Sequence, residues 1–105
     1  MRVLFDQGTP APLRKYLTSH TVAIVYENGW SQLRNGELLT LAETHGYEAF
    51  ITTDQNLKFQ QNLINRQIAI VVLTSTSWPI IESQVNKVAA ALDSITAGSY
   101  TEIDF

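Results

Sequence analysis

Short apolar runs alternate along the chain with segments in which apolar residues recur every three or four positions. The runs at residues 3–5, 22–26, 49–52 and 68–73 predict four strands, because they are rich in β-branched and aromatic side chains and end at turn-forming residues. The intervening spacing predicts helices at residues 10–17, 35–45 and 57–64 and a long helix from 77 almost to 98. Residues 100–105 alternate apolar and acidic side chains at their end, which is typical of an edge strand.

This strand–helix alternation predicts an α/β fold with a small, open, mainly parallel sheet flanked by helices. The expected strand order is 2-1-3-4, with the C-terminal segment as a further edge strand. In that order the chain leaves the first and third strands in opposite directions, so a ligand crevice is expected between their carboxyl ends. Asp6 and Asp54 follow those two strands.

Length and composition restrict the function. A chain of 105 residues forms one domain, spanning residues 1–105, and the absence of cysteine excludes thiolate metal sites and a cysteine nucleophile. The net charge of −3 is the opposite of what a protein that binds phosphate backbones unaided carries. The longest apolar run, residues 68–73, is too short to cross a membrane, so we expect a cytoplasmic location.

Three carboxylates are candidates for a metal site. Glu37 stands on the first turn of the second helix, one turn before Leu41, which predicts that it leans toward the buried side and joins Asp6 and Asp54. Oxygen ligands of this kind suit Mg²⁺ or Mn²⁺, and a metal-bound water can hydrolyse a phosphodiester. Each residue also has an ordinary structural explanation: Asp54 as a helix cap, Asp6 as a turn residue, and Glu37 as an anion at a helix start.

Several stretches together resemble a short bacterial branch of the PIN-like nuclease fold. They are residues 3–7 (VLFDQ), 35–39 (NGELL), 52–57 (TTDQNL), 62–63 (NL) and 68–73 (IAIVVL). The resemblance covers the whole chain and implies a metal-dependent endoribonuclease with Asp6, Glu37 and Asp54 as catalytic and metal-binding residues. It also implies a toxin-like role in a type II toxin–antitoxin pair, with a small antitoxin-like protein as partner. We expect single-stranded RNA as the substrate.

Two positions depart from that family pattern. Relatives of this branch usually carry Asp where this chain has Asn35, also a candidate N-cap, and Asn56. Each amide keeps an oxygen acceptor but removes a negative charge, so both are candidate auxiliary ligands only. These departures support the alternative function, a catalytically reduced module that binds an antitoxin-like protein or nucleic acid.

Three further alternatives remain open. A phosphoacceptor receiver domain fits the size and the strand-end Asp, but Gln7 follows Asp6 where a second acidic residue is expected. A metal-free hydrolase could use two carboxylates as acid and base. The final helix or the C-terminal segment could also pair two copies in a homodimer.

Overall fold

The computed structural model describes residues 1–60, 63 and 65–105 and contains five strands in those ranges. The strands are β1 (Arg2–Phe5), β2 (Thr21–Ile24), β3 (Ala49–Thr52), β4 (Ala69–Leu73) and β5 (Tyr100–Ile103). The helices are α1 (Asn35–Thr44), α2 (Leu57–Gln60), α3 (Trp78–Glu82) and α4 (Val85–Ser94), with two 3₁₀ helices at Ala11–Tyr16 and Val25–Asn28.

All five strands pair in parallel, in the order β2-β1-β3-β4-β5. The predicted α/β class and the predicted order 2-1-3-4 are therefore confirmed. The C-terminal segment is the expected edge strand: β5 pairs with β4, with Leu73 opposite Ile103. Between β1 and β3 the register places Phe5 opposite Ile51.

The sheet buries apolar side chains on both faces, which is why its strands are almost continuously apolar. On one face, Val3, Phe5 and Ile51 pack with residues of α3 and α4. On the other face, Leu4 and Phe50 pack with residues of α1 and with Leu57 of α2. Successive strand residues point to opposite faces, so each strand contributes to both clusters. Helices on both faces leave the carboxyl edge of the sheet open for loops.

Three predicted elements differ from the structure. The second strand ends at Ile24, and residues 25–28 form a 3₁₀ helix instead of continuing it. The long C-terminal helix is two helices, separated where Gln84 leaves the helical conformation with φ −134°. The helix predicted over residues 57–64 is described as α2 up to Gln60, and residues 61, 62 and 64 lie outside the described residues.

In the described part of the chain, no helix is long and apolar enough to cross a membrane.

Candidate functional site

The candidate site lies where β1 and β3 end side by side. The chain leaves β1 toward β2 and leaves β3 toward β4, on opposite sides, so the two carboxyl ends border the expected crevice. Asp6 directly follows β1, and Asp54 is the second residue after β3. The predicted placement of both aspartates at the ends of neighbouring parallel strands is thus confirmed.

Thr52, the last residue of β3, connects the two aspartates. Its side chain is fully buried, and its hydroxyl donates a hydrogen bond to Asp6 Oδ2 at 2.8 Å. The Thr52 hydroxyl oxygen also accepts a hydrogen bond from the backbone N–H of Asp54 at 3.0 Å. One hydroxyl therefore fixes one carboxylate and the backbone that carries the other. Sequence reasoning missed Thr52; the signal for it is a polar residue that ends an apolar strand two positions before an aspartate.

The Asp54 carboxylate is oriented by groups on both sides of it. Oδ1 accepts the backbone N–H of Asn56 at 2.9 Å, which shapes the turn that leads into α2. Oδ2 accepts a hydrogen bond from Asn35 Nδ2 at 3.4 Å. The prediction that Asn35 caps α1 is wrong, because Arg34 occupies the cap position and the Asn35 side chain faces Asp54 instead.

Asp6 is held in a similar way. Its Oδ1 accepts the backbone N–H of Gln7 at 2.8 Å, and its own N–H donates to the carbonyl of Ile51 at 2.9 Å. Both aspartates are partly exposed, so their carboxylates border solvent. Each carboxylate oxygen has two acceptor positions, and the described contacts leave each aspartate with further acceptor capacity.

Glu37 does not lie on the buried side of α1, as its spacing from Leu41 predicted. Leu41 is itself only half-buried, and the helix face that packs on the sheet carries Leu38, Leu39 and Ala42. Glu37 is exposed and lines, with Leu41 and Arg66, a groove of about 620 Å³ on the outer side of α1. Asn35, two positions earlier on the helix, is the α1 residue that faces Asp54.

The structure therefore brings together two of the three predicted carboxylates. Across residues 1–60, 63 and 65–105, no group of three or more His, Asp or Glu residues is close enough to hold a metal ion. Asn56, the other candidate auxiliary ligand, contributes its backbone N–H to Asp54, and the residue is exposed.

The charges of the aspartate pair are not neutralised by neighbouring basic side chains. The ion pairs in the described ranges join Arg14 to Glu27, Lys58 to Glu102 and Arg66 to Glu43, and none includes Asp6 or Asp54. Burial raises the pKa of Tyr100, and the negative charges of Glu102 and Asp54 raise it further. This edge of the sheet thus carries net negative charge, which favours a cation.

The chain was also compared with known proteins. No family model matches it, and no curated protein and no solved structure matches it.

Proposed function

We propose that this protein is a cytoplasmic endoribonuclease that depends on a divalent metal ion and acts as the toxin-like component of a type II toxin–antitoxin pair. The observation that carries the proposal is the pairing of Asp6 and Asp54 through the buried Thr52 hydroxyl at the ends of β1 and β3. The resemblance of residues 3–7, 35–39 and 52–57 to the PIN-like fold supports the same activity.

The donor set fits Mg²⁺ or Mn²⁺. Proteins usually hold Mg²⁺ through one or two carboxylates, with waters and substrate phosphates completing the shell, so two aspartates suffice. The unneutralised charge at this edge and the absence of sulfur ligands agree with a hard cation. When bound, such an ion supplies charge neutralisation at the phosphate and a hydroxide at neutral pH.

The residues of the chain have distinct tasks in this proposal. Asp6 and Asp54 would hold the cation through the remaining acceptor positions of their carboxylates, and the Thr52 hydroxyl fixes their relative positions. The amide of Asn35 orients Asp54 without adding charge, since it donates to Oδ2. A neutral amide in place of a third carboxylate lowers the affinity for the cation, so activity is expected to be slow.

Glu37 remains a proposed third ligand. Its exposed position on α1 places it outside the aspartate pair, so it would act through a bound water or after a side-chain rearrangement. If Glu37 is a ligand, Glu37→Gln lowers the affinity for Mn²⁺; if it only lines the groove, the affinity is unchanged.

A second function is favoured by one specific observation. The residue that faces Asp54 is an amide, and the described residues contain no group of three carboxylates. A catalytically reduced module that binds an antitoxin-like protein or nucleic acid would need no such group.

Cleavage of a labelled single-stranded RNA with Mn²⁺ separates the two functions. We expect slow cleavage by the wild type, none after chelation of the metal, and none by Asp54→Asn. Asp93→Asn is the matched control, because Asp93 is exposed near the end of α4, which precedes β5 and so lies toward the opposite edge of the sheet. Absence of cleavage above the Asp54→Asn level would favour the binding module.

A further inference from the structure

An aromatic side chain stands mostly in solvent on α2, the short helix that follows Asp54. Phe59 is 78% exposed, more than any other large hydrophobic residue in the described ranges, where Tyr26 follows at 58%. Single exposed apolar residues are common on protein surfaces, so exposure alone indicates nothing. The position of Phe59 gives it significance, since it lies on α2, the helix that begins at the Asp54 turn.

The fold forces this ring outward. Leu57, two residues earlier, is fully buried against the sheet, and residues two positions apart on a helix face opposite directions. The turn itself is fixed, because the Leu57 N–H donates to the Asp54 carbonyl at 3.3 Å and the Phe59 N–H donates to the Asn56 carbonyl at 2.9 Å. At the rise of a helical turn, Phe59 lies about 8–10 Å along the chain from Asp54.

A basic side chain lies next to the ring. Lys58 Nζ lies over one face of the Phe59 ring, 5.2 Å from its centre, and 3.3 Å from Glu102 Oε1, which leaves the other ring face for a base. More than a third of each side chain of this ion pair is exposed, and such pairs are weak, so Lys58 can exchange Glu102 for a phosphate. Exposed aromatic faces on which bases stack, together with basic groups that contact the backbone, are the parts with which proteins bind single-stranded nucleic acid.

We propose that Phe59 is a stacking platform for one base of a single-stranded RNA, with Lys58 next to the adjoining phosphate. This inference deepens the proposed function and rests on it for the placement of the RNA at the aspartate pair. The net charge of −3 increases the importance of stacking for RNA affinity. Because phosphate contacts supply little affinity to an acidic protein, stacking must supply a larger share of it.

The test is direct binding without cleavage. The full chain is titrated into a fluorescently labelled single-stranded RNA of about 12 nucleotides, long enough for one binding site, in the presence of a metal chelator. We expect Phe59→Ala to raise the Kd about tenfold, the loss typical of one stacked base. Phe59→Tyr should stay near the wild-type Kd, because it keeps the aromatic face.

Tyr26→Ala is the matched control. Tyr26 is an exposed aromatic residue after β2, the edge strand opposite β5, and β5 carries the Glu102 that pairs with Lys58. Its loss should leave RNA binding unchanged. Because Phe59 packs against little, all variants should keep the wild-type melting temperature, which shows that a change in Kd is not a folding effect.

Three results would overturn the inference: a wild type that does not bind the RNA, a Phe59→Ala variant with the wild-type Kd, or an equal loss in Tyr26→Ala. The second result, combined with loss of a protein partner in Phe59→Ala, would assign the ring to a protein interface. Failure of the proposed nuclease activity is distinguishable from failure of this RNA-binding inference. A chain that binds RNA through Phe59 but shows no Mn²⁺-dependent cleavage supports this inference and contradicts the catalytic proposal.

Discussion

Replacing Thr52 by Val tests whether the buried hydroxyl organises the site. Val keeps the β-branched shape but removes a hydrogen bond to the Asp6 carboxylate at 2.8 Å and the acceptor of the Asp54 N–H at 3.0 Å. A hydrogen bond to a charged group contributes about 1.5–3 kcal/mol, and a neutral one contributes about 1 kcal/mol. Since Asp6 is partly exposed and water replaces part of its lost bond, we expect a net destabilisation of about 2 kcal/mol.

For a domain of this length, that loss lowers the melting temperature by about 10 °C. The assay is urea unfolding and thermal melting of Thr52→Val beside Thr53→Val. Thr53 is the matched control, because the residue is half-buried and its side chain takes no part in the hydrogen bonds that join Asp6, Thr52 and Asp54. Equal unfolding free energies for the two variants, within about 0.5 kcal/mol, would refute the role of Thr52 as the connecting group.

Three further predictions concern other positions. In urea unfolding, Gly98→Ala should lower the free energy of unfolding much more than Gly29→Ala. Both glycines have φ +75°, a conformation that costs Ala about 1 kcal/mol, but only at Gly98 would the new Cβ lie 2.6 Å from the Arg66 carbonyl oxygen. Similar losses in the two variants would contradict this. The pKa of Glu27 is lowered by the Ile24 N–H and by Arg14, so its carboxylate stabilises the fold above the usual pKa of 4.5 and loses that effect as the pH falls through the lowered pKa. The free energy of unfolding should therefore fall less steeply in acid for Glu27→Gln than for the wild type. Equal slopes would contradict this role of Glu27. Asn35→Asp should make the metal-free protein less stable, because it places a second carboxylate against Asp54 Oδ2, and it should raise the affinity for Mn²⁺. Thermal melting with and without Mn²⁺ measures the stability and the affinity. An unchanged affinity would contradict the placement of Asn35.

The sheet could be predicted because its signal is local. Each strand is a short apolar run bounded by turn residues, and the right-handed connection of parallel strands leaves few orders. The strand predicted at residues 49–52 is β3 in the structure, and the C-terminal edge strand follows from the alternation of Ile103 with acidic neighbours. The position of Asp6 beside the end of β3 followed from that topology alone.

The break between α3 and α4 could not be predicted from periodicity. Ile81, Val88 and Leu92 all pack into the same core cluster, so the apolar spacing continues across the interruption. Neither Gly nor Pro marks the break at Ser83 and Gln84. A pattern of apolar positions reports which face is buried, and two short helices that bury one face give nearly the pattern of one long helix.

The orientation of α1 was the error that affected the site. If Leu41 lay at the centre of the buried face of α1, Glu37 would point inward. In the structure, the face that the sheet covers carries Leu38, Leu39 and Ala42 instead. This orientation of α1 about its own axis places Asn35 against Asp54 and leaves Glu37 lining the outer groove. Tertiary packing decides between neighbouring stripes of a helix, and sequence spacing alone does not.

Calorimetric titration with Mn²⁺ tests the central claim, that Asp6 and Asp54 form a cation site. The account predicts that the wild type binds about one ion per chain, as expected for one two-carboxylate site, and melts at a higher temperature when Mn²⁺ is present. Asp54→Asn should abolish both effects, and Asp93→Asn should preserve them. A wild type without a binding signal, or an Asp54→Asn variant that binds Mn²⁺ as the wild type does, would contradict the account.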